Sequence, residues 1–157
     1  EFLEAGERLD VLGKSIQMEC LYPEGEFTSE DRNEESLVIS VQFGRFSMLL
    51  TGDLGISGEE WLLESGKIHP ATVLKAAHHG SATSSGEDFV RTVRPALAVF
   101  SYGEGNRYGH PHKEVTERFQ AVGSEICRTA EMGAIQIRTN GEKIWVKGYR
   151  KARGRFP

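Results

Sequence analysis

"TVLKAAHHGSATSSGEDFVRTVRPALAVFSY", residues 72–102, reads as strand, loop, helix, strand. The short apolar stretch 72–77 gives way to a Gly/Ser/Thr loop, and a helix is expected over about 86–93 before Pro95. A second strand follows over 96–102, then a Gly-rich loop and a helix over about 112–122 that Gly123 ends. Strands alternating with helices make an α/β sheet with helices packed on it.

Working outward, the segments on either side are mostly β. "SIQMECLYP" alternates Ile16, Met18, Cys20 and Tyr22 before Pro23, as a half-buried strand does. "SLVISVQF" places Leu37, Ile39, Val41 and Phe43 on one face, and "FGRF" turns it into the buried strand of "FSMLLTGD". In "SGEEWLLESG", Ser57 stands three residues before Glu60 as in a capping box, with Gly66 placed to end a short helix. "EICRTA", "GAIQIRT" and "KIWVKGY" read as short strands, the last two joined through Asn140-Gly141, a strong hairpin signal. No internal repeat or second domain is evident.

At 157 residues, with 38% hydrophobic and 27% charged, the chain fits one globular domain. A net charge of −4 argues against a protein that holds nucleic acid by its overall electrostatics. The charge is uneven, however. Residues 24–36 are acidic, whereas "KGYRKARGRFP" carries Lys147, Arg150, Lys151, Arg153 and Arg155. These read as a solvated loop and a frayed tail, with a phosphate-facing role for the tail left open. Cys20 and Cys127 form no Cys-x-x-Cys motif and are expected to be buried, reduced thiols. With no apolar run near the ~18 residues of a membrane span, this segment is expected neither to cross nor to enter a bilayer.

Three loops that leave the carboxyl ends of expected strands carry the unusual chemistry: "TGD", "HHGS" and "GEGNRYGHPH". They hold Asp53 and four of the five histidines, His78, His79, His110 and His112; His69 reads as a turn residue. Imidazole and carboxylate are the donors a zinc-type or two-metal site needs. The same residues also suit plainer roles. Asp53 fits an Asx turn, "GHPH" fits a helix start with Pro111 in the first turn, and Ser81, Thr83, Ser84 and Ser85 fit caps for the next helix or a phosphate site. Spacing leaves both readings open.

The ordered set "TGD", "LKAAHHGS", "NRYGHP" and "TAEMGAI" resembles the C-terminal half of a metallo-β-lactamase-fold domain, most closely that of ComEC-type competence proteins, the channel proteins of DNA uptake. The likeness runs from about Ala5 to Tyr149. It implies half of an αββα sandwich over residues 1–149, followed by a basic tail over 150–157. It also implies a hydrolase, a nuclease that degrades one DNA strand, with two divalent ions, zinc or manganese, in the complete domain.

By resemblance, Asp53 corresponds to the bridging metal carboxylate and His110 to the late metal ligand. His78 and His79 match the double-His motif, as ligand or transition-state stabiliser. Beside them, Ser81, Asn106, Arg107 and Tyr108 are candidate substrate contacts, the last three reading equally as an ordinary polar loop. The family's His-x-His-x-Asp-His motif is absent from this sequence, and "NEES" has Glu34 where a second Asn or Asp is expected. The chain is therefore expected to be inactive alone, to bind metal incompletely or not at all, and to dock against an N-terminal half or dimerise through an exposed sheet face. DNA is the implied partner, and the implied location is the outer face of the bacterial cytoplasmic membrane. The alternatives are a hydrolase of small phosphoesters, such as phosphorylcholine, and a non-catalytic α/β interaction module.

Overall fold

The computed structural model describes residues 5–13, 15–24 and 31–150. The tail beyond Arg150 and part of the acidic stretch lie outside these residues. Seven strands form one mixed sheet in chain order: β1 (Arg8–Val11), β2 (Ile16–Tyr22), β3 (Val38–Phe43), β4 (Phe46–Leu50), β5 (Val73–Lys75), β6 (Leu97–Phe100) and β7 (Glu125–Arg128). β1 to β4 pair antiparallel, and β4 to β7 pair parallel. The parallel crossovers pass through α1 (Ile56–Glu64), α2 (Glu87–Val93) and α3 (Lys113–Ala121). Each crossover moves one strand in the same direction, and right-handed connection puts all three helices on one face.

Alternation along the parallel strands divides the core in two. Leu49, Leu74 and Ala98 share a cross-strand row and point to the helices, where Leu62, Phe89, Val90, Val93, Val115 and Phe119 close over them. Val73 and Leu97 point the other way and join Phe46 and Cys127. That second face is covered by a hairpin of β8 (Ile135–Thr139) and β9 (Ile144–Gly148), through Ile135, Ile137 and Ile144, after the short α4 (Thr129–Met132). The result is a helix layer, a large sheet and a small second sheet: α/β architecture consistent with half of an αββα sandwich. Both cysteines are buried, and that burial pushes their thiol pKa values up.

Coverage of the second face is partial. Leu9, Met18, Val41 and Met48 form one cross-strand row with Val73, yet Leu9 is 58% exposed and Met18 and Val41 are only half-buried. An apolar strip on β1 to β3 is thus left beside the hairpin.

Several local expectations are corrected. β1 is a strand that the pattern did not reveal. α1 starts at Ile56 after Gly55, so Ser57 sits inside the helix and no side chain caps it; instead Glu34 Oε2 accepts from the Gly58 N–H at 2.8 Å. No Ser/Thr side chain caps α2 either. The buried Glu59 accepts from the Ser85 and Gly86 N–H groups at 2.6 and 2.7 Å. Pro111 precedes His112, the N-cap of α3, rather than lying in its first turn.

Candidate metal centre

The parallel strands β4, β5 and β6 end side by side, so their following loops converge, as polar sites do at the carboxyl edge of α/β sheets. Asp53 closes the turn after β4, with its backbone N–H donating to Ser36 Oγ at 3.0 Å. Its carboxylate lies 3.7 Å from His79 Nε2 and 3.8 Å from Lys75 Nζ. The His78 ring centroid is 5.7 Å from that of His110 and 6.4 Å from that of His79, and His110 is 5.5 Å from His112. His69, in the segment leading to β5, is apart from this group.

Two features of the backbone bring the loops together. His78 and His79 both hold left-handed conformations, with φ of 45° and 57°. Gly80, at φ +87°, carries no Cβ, which would stand 2.6 Å from the Pro111 Cβ and 2.9 Å from the Phe100 ring. This close approach is sealed by the His112 N–H donating to the Gly80 carbonyl at 2.9 Å. Left-handed backbone costs an L-residue roughly 1–2 kcal/mol, a cost more often stored at functional sites than elsewhere.

The histidines are differentiated by their partners. His79 Nδ1 is 2.6 Å from the Ser101 carbonyl, which can only accept, so Nδ1 carries the proton and Nε2 faces Asp53. His78 Nδ1 is buried with no hydrogen-bond partner, an expense that a bound ligand would remove. For His110, burial and then the neighbouring histidines push the pKa down, partly opposed by Asp53, which favours the neutral, ligating imidazole. These donors are of the type a divalent cation takes. Among the described residues, however, no group of three or more His, Cys, Asp and Glu side chains is assembled to hold an ion by itself.

The remaining candidates divide by what their polar atoms already do. Asn106 Nδ2 donates to the His110 carbonyl at 2.7 Å, and its Oδ1 accepts from the His110 N–H at 2.9 Å, so this amide shapes the loop that carries the imidazole. Ser81 is buried, its hydroxyl 3.0 Å from that of Thr83. Tyr108 is 64% exposed and stacks on His110 at 5.8 Å. With His79, Ser101, Tyr102 and His110 it lines a cleft of about 400 Å³.

The stretch that carries this group lies within a chain that has clear relatives. The chain is 39% identical over 137 residues, 87% of its length, to "ComE operon protein 3" of Bacillus subtilis. It is 40% identical over 78% of its length to "Competence protein ComA" of Neisseria gonorrhoeae, and 33% identical over 91% to "Recombination protein 2" of Haemophilus influenzae. The chain is homologous to a segment of ComEC-type competence proteins. It spans 17–18% of the length of these curated relatives. No protein-family model matches it. Among the described residues of this ComEC-type segment, no helix is long and apolar enough to cross a membrane.

Lys75 is the functional candidate the sequence reading passed over. It ends β5, donates to the Gly52 carbonyl at 2.9 Å and approaches Asp53, and burial lowers its pKa against the raising effect of that carboxylate. A lysine closing an apolar strand three residues before His78 was the available signal. Gly80 was likewise visible only as a loop glycine.

The left-handed backbone yields a prediction for this ComEC-type segment. His78→Gly is expected to be more stable than His78→Ala by about 1 kcal/mol, the reverse of their order in a regular helix. Denaturant titration of both variants tests it, and equal stabilities would remove the strain argument.

Proposed function

We propose that this chain contributes to DNA internalisation in bacterial competence and supplies part of a divalent-metal phosphodiesterase centre that cleaves DNA. The observation that carries the reading is the buried, unpartnered His78 Nδ1, grouped with His79, His110 and Asp53 at the ends of parallel strands. Asp53, His110 and His78 or His79 would hold the ions, and the rest of the ligand set would come from a segment outside this chain. Bound divalent cations would supply Lewis acidity toward the phosphate and a nucleophilic water at neutral pH.

The chain's own residues then divide the remaining work. Lys75 holds the Asp53 turn through the Gly52 carbonyl. The Ser101 carbonyl fixes the His79 tautomer, so Nε2 can ligate or, when protonated, donate to a leaving oxygen. The cleft beside His110 is large enough for a nucleotide, with Tyr108 offering a ring to stack against it. We place the parent protein at the outer face of the cytoplasmic membrane.

The test is cleavage of labelled DNA by the complete domain with manganese or zinc, against a chelated control, with a small phosphodiester as competitor. Metal-dependent DNA cleavage that the small diester barely inhibits supports the reading. Preferential turnover of the small diester would replace DNA as substrate, and no hydrolysis of either would leave a non-catalytic module.

The uncovered strip of Leu9, Met18 and Val41 is, in the same proposal, where a second half of the sandwich or a second copy of this chain packs. Val41→Glu is expected to lower self-association of the chain without loss of secondary structure. Sedimentation over a range of concentrations reads it, and a wild-type chain that stays monomeric throughout would rule out the dimer.

A further inference from the structure

On the β8–β9 hairpin, Gln136 pairs with Lys147 and Arg138 with Trp145. Because side chains alternate, these four lie on the face opposite Ile135, Ile137 and Ile144, which pack on the main sheet. Tyr149 extends that outer face: its hydroxyl donates to Gln136 Oε1 at 3.1 Å, and Lys147 Nζ stands 4.8 Å from its ring centroid. Trp145 is 55% exposed and Tyr149 57%, whereas Trp61, the other tryptophan, packs against Tyr22 and under Lys67. Gln136, Arg138, Trp145 and Lys147 line a shallow concavity of about 530 Å³. Among the described residues neither Arg138 nor Lys147 is held in an ion pair.

Charge singles out the same element. Residues 134–150 carry Arg138, Lys143, Lys147 and Arg150 against Glu142, a net charge of +3 in a chain whose total is −4, and among the described residues Arg150 alone of the four is spent on an acidic partner, Glu104 at 2.6 Å. A large apolar protein surface would be poorly matched by a face on which aromatic rings alternate with unpaired cations. A polyanion whose own rings are free to stack matches both features. We infer that the outer face of the β8–β9 hairpin is a platform for single-stranded nucleic acid, with Trp145 and Tyr149 stacking bases while Arg138 and Lys147 meet the backbone phosphates. The inference goes beyond the cleavage reading, since it assigns binding to an element that carries none of the proposed metal ligands. A single strand is preferred because a duplex buries the base faces that the rings need.

The test is titration of the 157-residue chain with short oligodeoxythymidine in EDTA, which removes any dependence on metal or cleavage. Quenching of Trp145 emission and anisotropy of a labelled oligonucleotide are followed together. Binding is expected to quench the emission and to fall with salt. Each phosphate neutralised on a single strand contributes about −0.7 to the log–log slope, so two contacts give about −1.4. Trp145→Ala is expected to weaken binding about tenfold, and Trp145→Phe to recover most of it. Arg138→Gln combined with Lys147→Gln should flatten the salt slope.

Unchanged affinity in the alanine and double-glutamine variants would overturn the inference, as would equal affinity for a duplex of the same length. Unquenched tryptophan emission at saturation would also overturn it and leave the face to a protein contact. The readout is binding without metal, so failure here is distinct from failure of the cleavage proposal.

Discussion

Glu59→Ala is expected to cost about 3 kcal/mol of folding free energy, because it leaves one buried and one part-buried N–H group without an acceptor. Glu59 is 1% exposed, and its two carboxylate oxygens take the Ser85 and Gly86 N–H groups. Those two bonds join α1 to the loop that starts α2. Arg118 of α3 reaches the same loop, with Nη1 donating to the Ser85 carbonyl at 3.0 Å. One side chain thus ties the helices together just beyond the His78–Ser81 turn. For a chain of this size the loss corresponds to roughly 10 °C in Tm.

The same residue gives the fold a pH dependence whose sign is fixed. Burial raises the Glu59 pKa from 4.5 to about 7, with Glu34 adding to the rise, while the Gly86 and Ser85 N–H groups and Arg118 oppose it. Because the folded value lies above the unfolded one, the protonated form favours the fold. Its contribution is complete below the unfolded pKa and is lost as pH rises through about 7. At about 1.4 kcal/mol per unit, the full loss is about 3 kcal/mol. Urea titrations from acid to mildly alkaline pH should show it, and Glu59→Gln should flatten that part of the profile. A wild-type profile with no decline between about pH 5 and 8, or one unaltered by Glu59→Gln, would contradict the assignment.

The contrast between what the sequence disclosed and what it withheld follows from range. β2, β3 and β4 were legible because period-2 alternation is local, and the crossovers were legible because strand and helix patterns succeed one another. The helix starts were misread because their caps are not local. Glu34 serves Gly58, and Glu59 serves Ser85 and Gly86, from 24 to 27 residues away. Ser57 and the Ser/Thr run looked sufficient in isolation. β1 escaped because only Leu9 and Val11 mark it, and Leu9 faces the uncovered strip. At the site, Asp53, His78, His79 and His110 stood out because polar residues after buried strands gather at one sheet edge. Lys75 and Gly80 did not, since their parts are a carbonyl contact and a missing Cβ; the charge ending an apolar strand hinted at the first, and nothing local marked the second. Asn106 was visible as a polar loop residue, while its hold on the His110 backbone depends on the loop's conformation.

Asp53→Ala in the complete domain is expected to lower metal-dependent DNA cleavage by about 10²–10³-fold or more, the scale on which a removed charge stabiliser or metal-bridging carboxylate acts. Its effect on folding should be small, on the order of 1 kcal/mol, because the carboxylate is part-exposed and its partner Lys75 keeps the Gly52 carbonyl. The turn itself is held by the backbone, through the Asp53 N–H to Ser36 Oγ. Loss of activity with retained Tm would therefore locate the effect in the centre rather than the fold. Elemental analysis adds a readout independent of turnover. Bound metal should fall in Asp53→Ala and in His110→Ala, whereas an Asp53→Asn variant, similar in shape but without the charge, separates ligation from packing. If Asp53→Asn kept full metal content and full cleavage, the carboxylate would be no ligand and the turn would be only a structural corner. If it lost both while remaining folded, the negative charge at the end of β4 is what the neighbouring imidazoles, including His78 with its unpartnered Nδ1, are arranged to share with a cation.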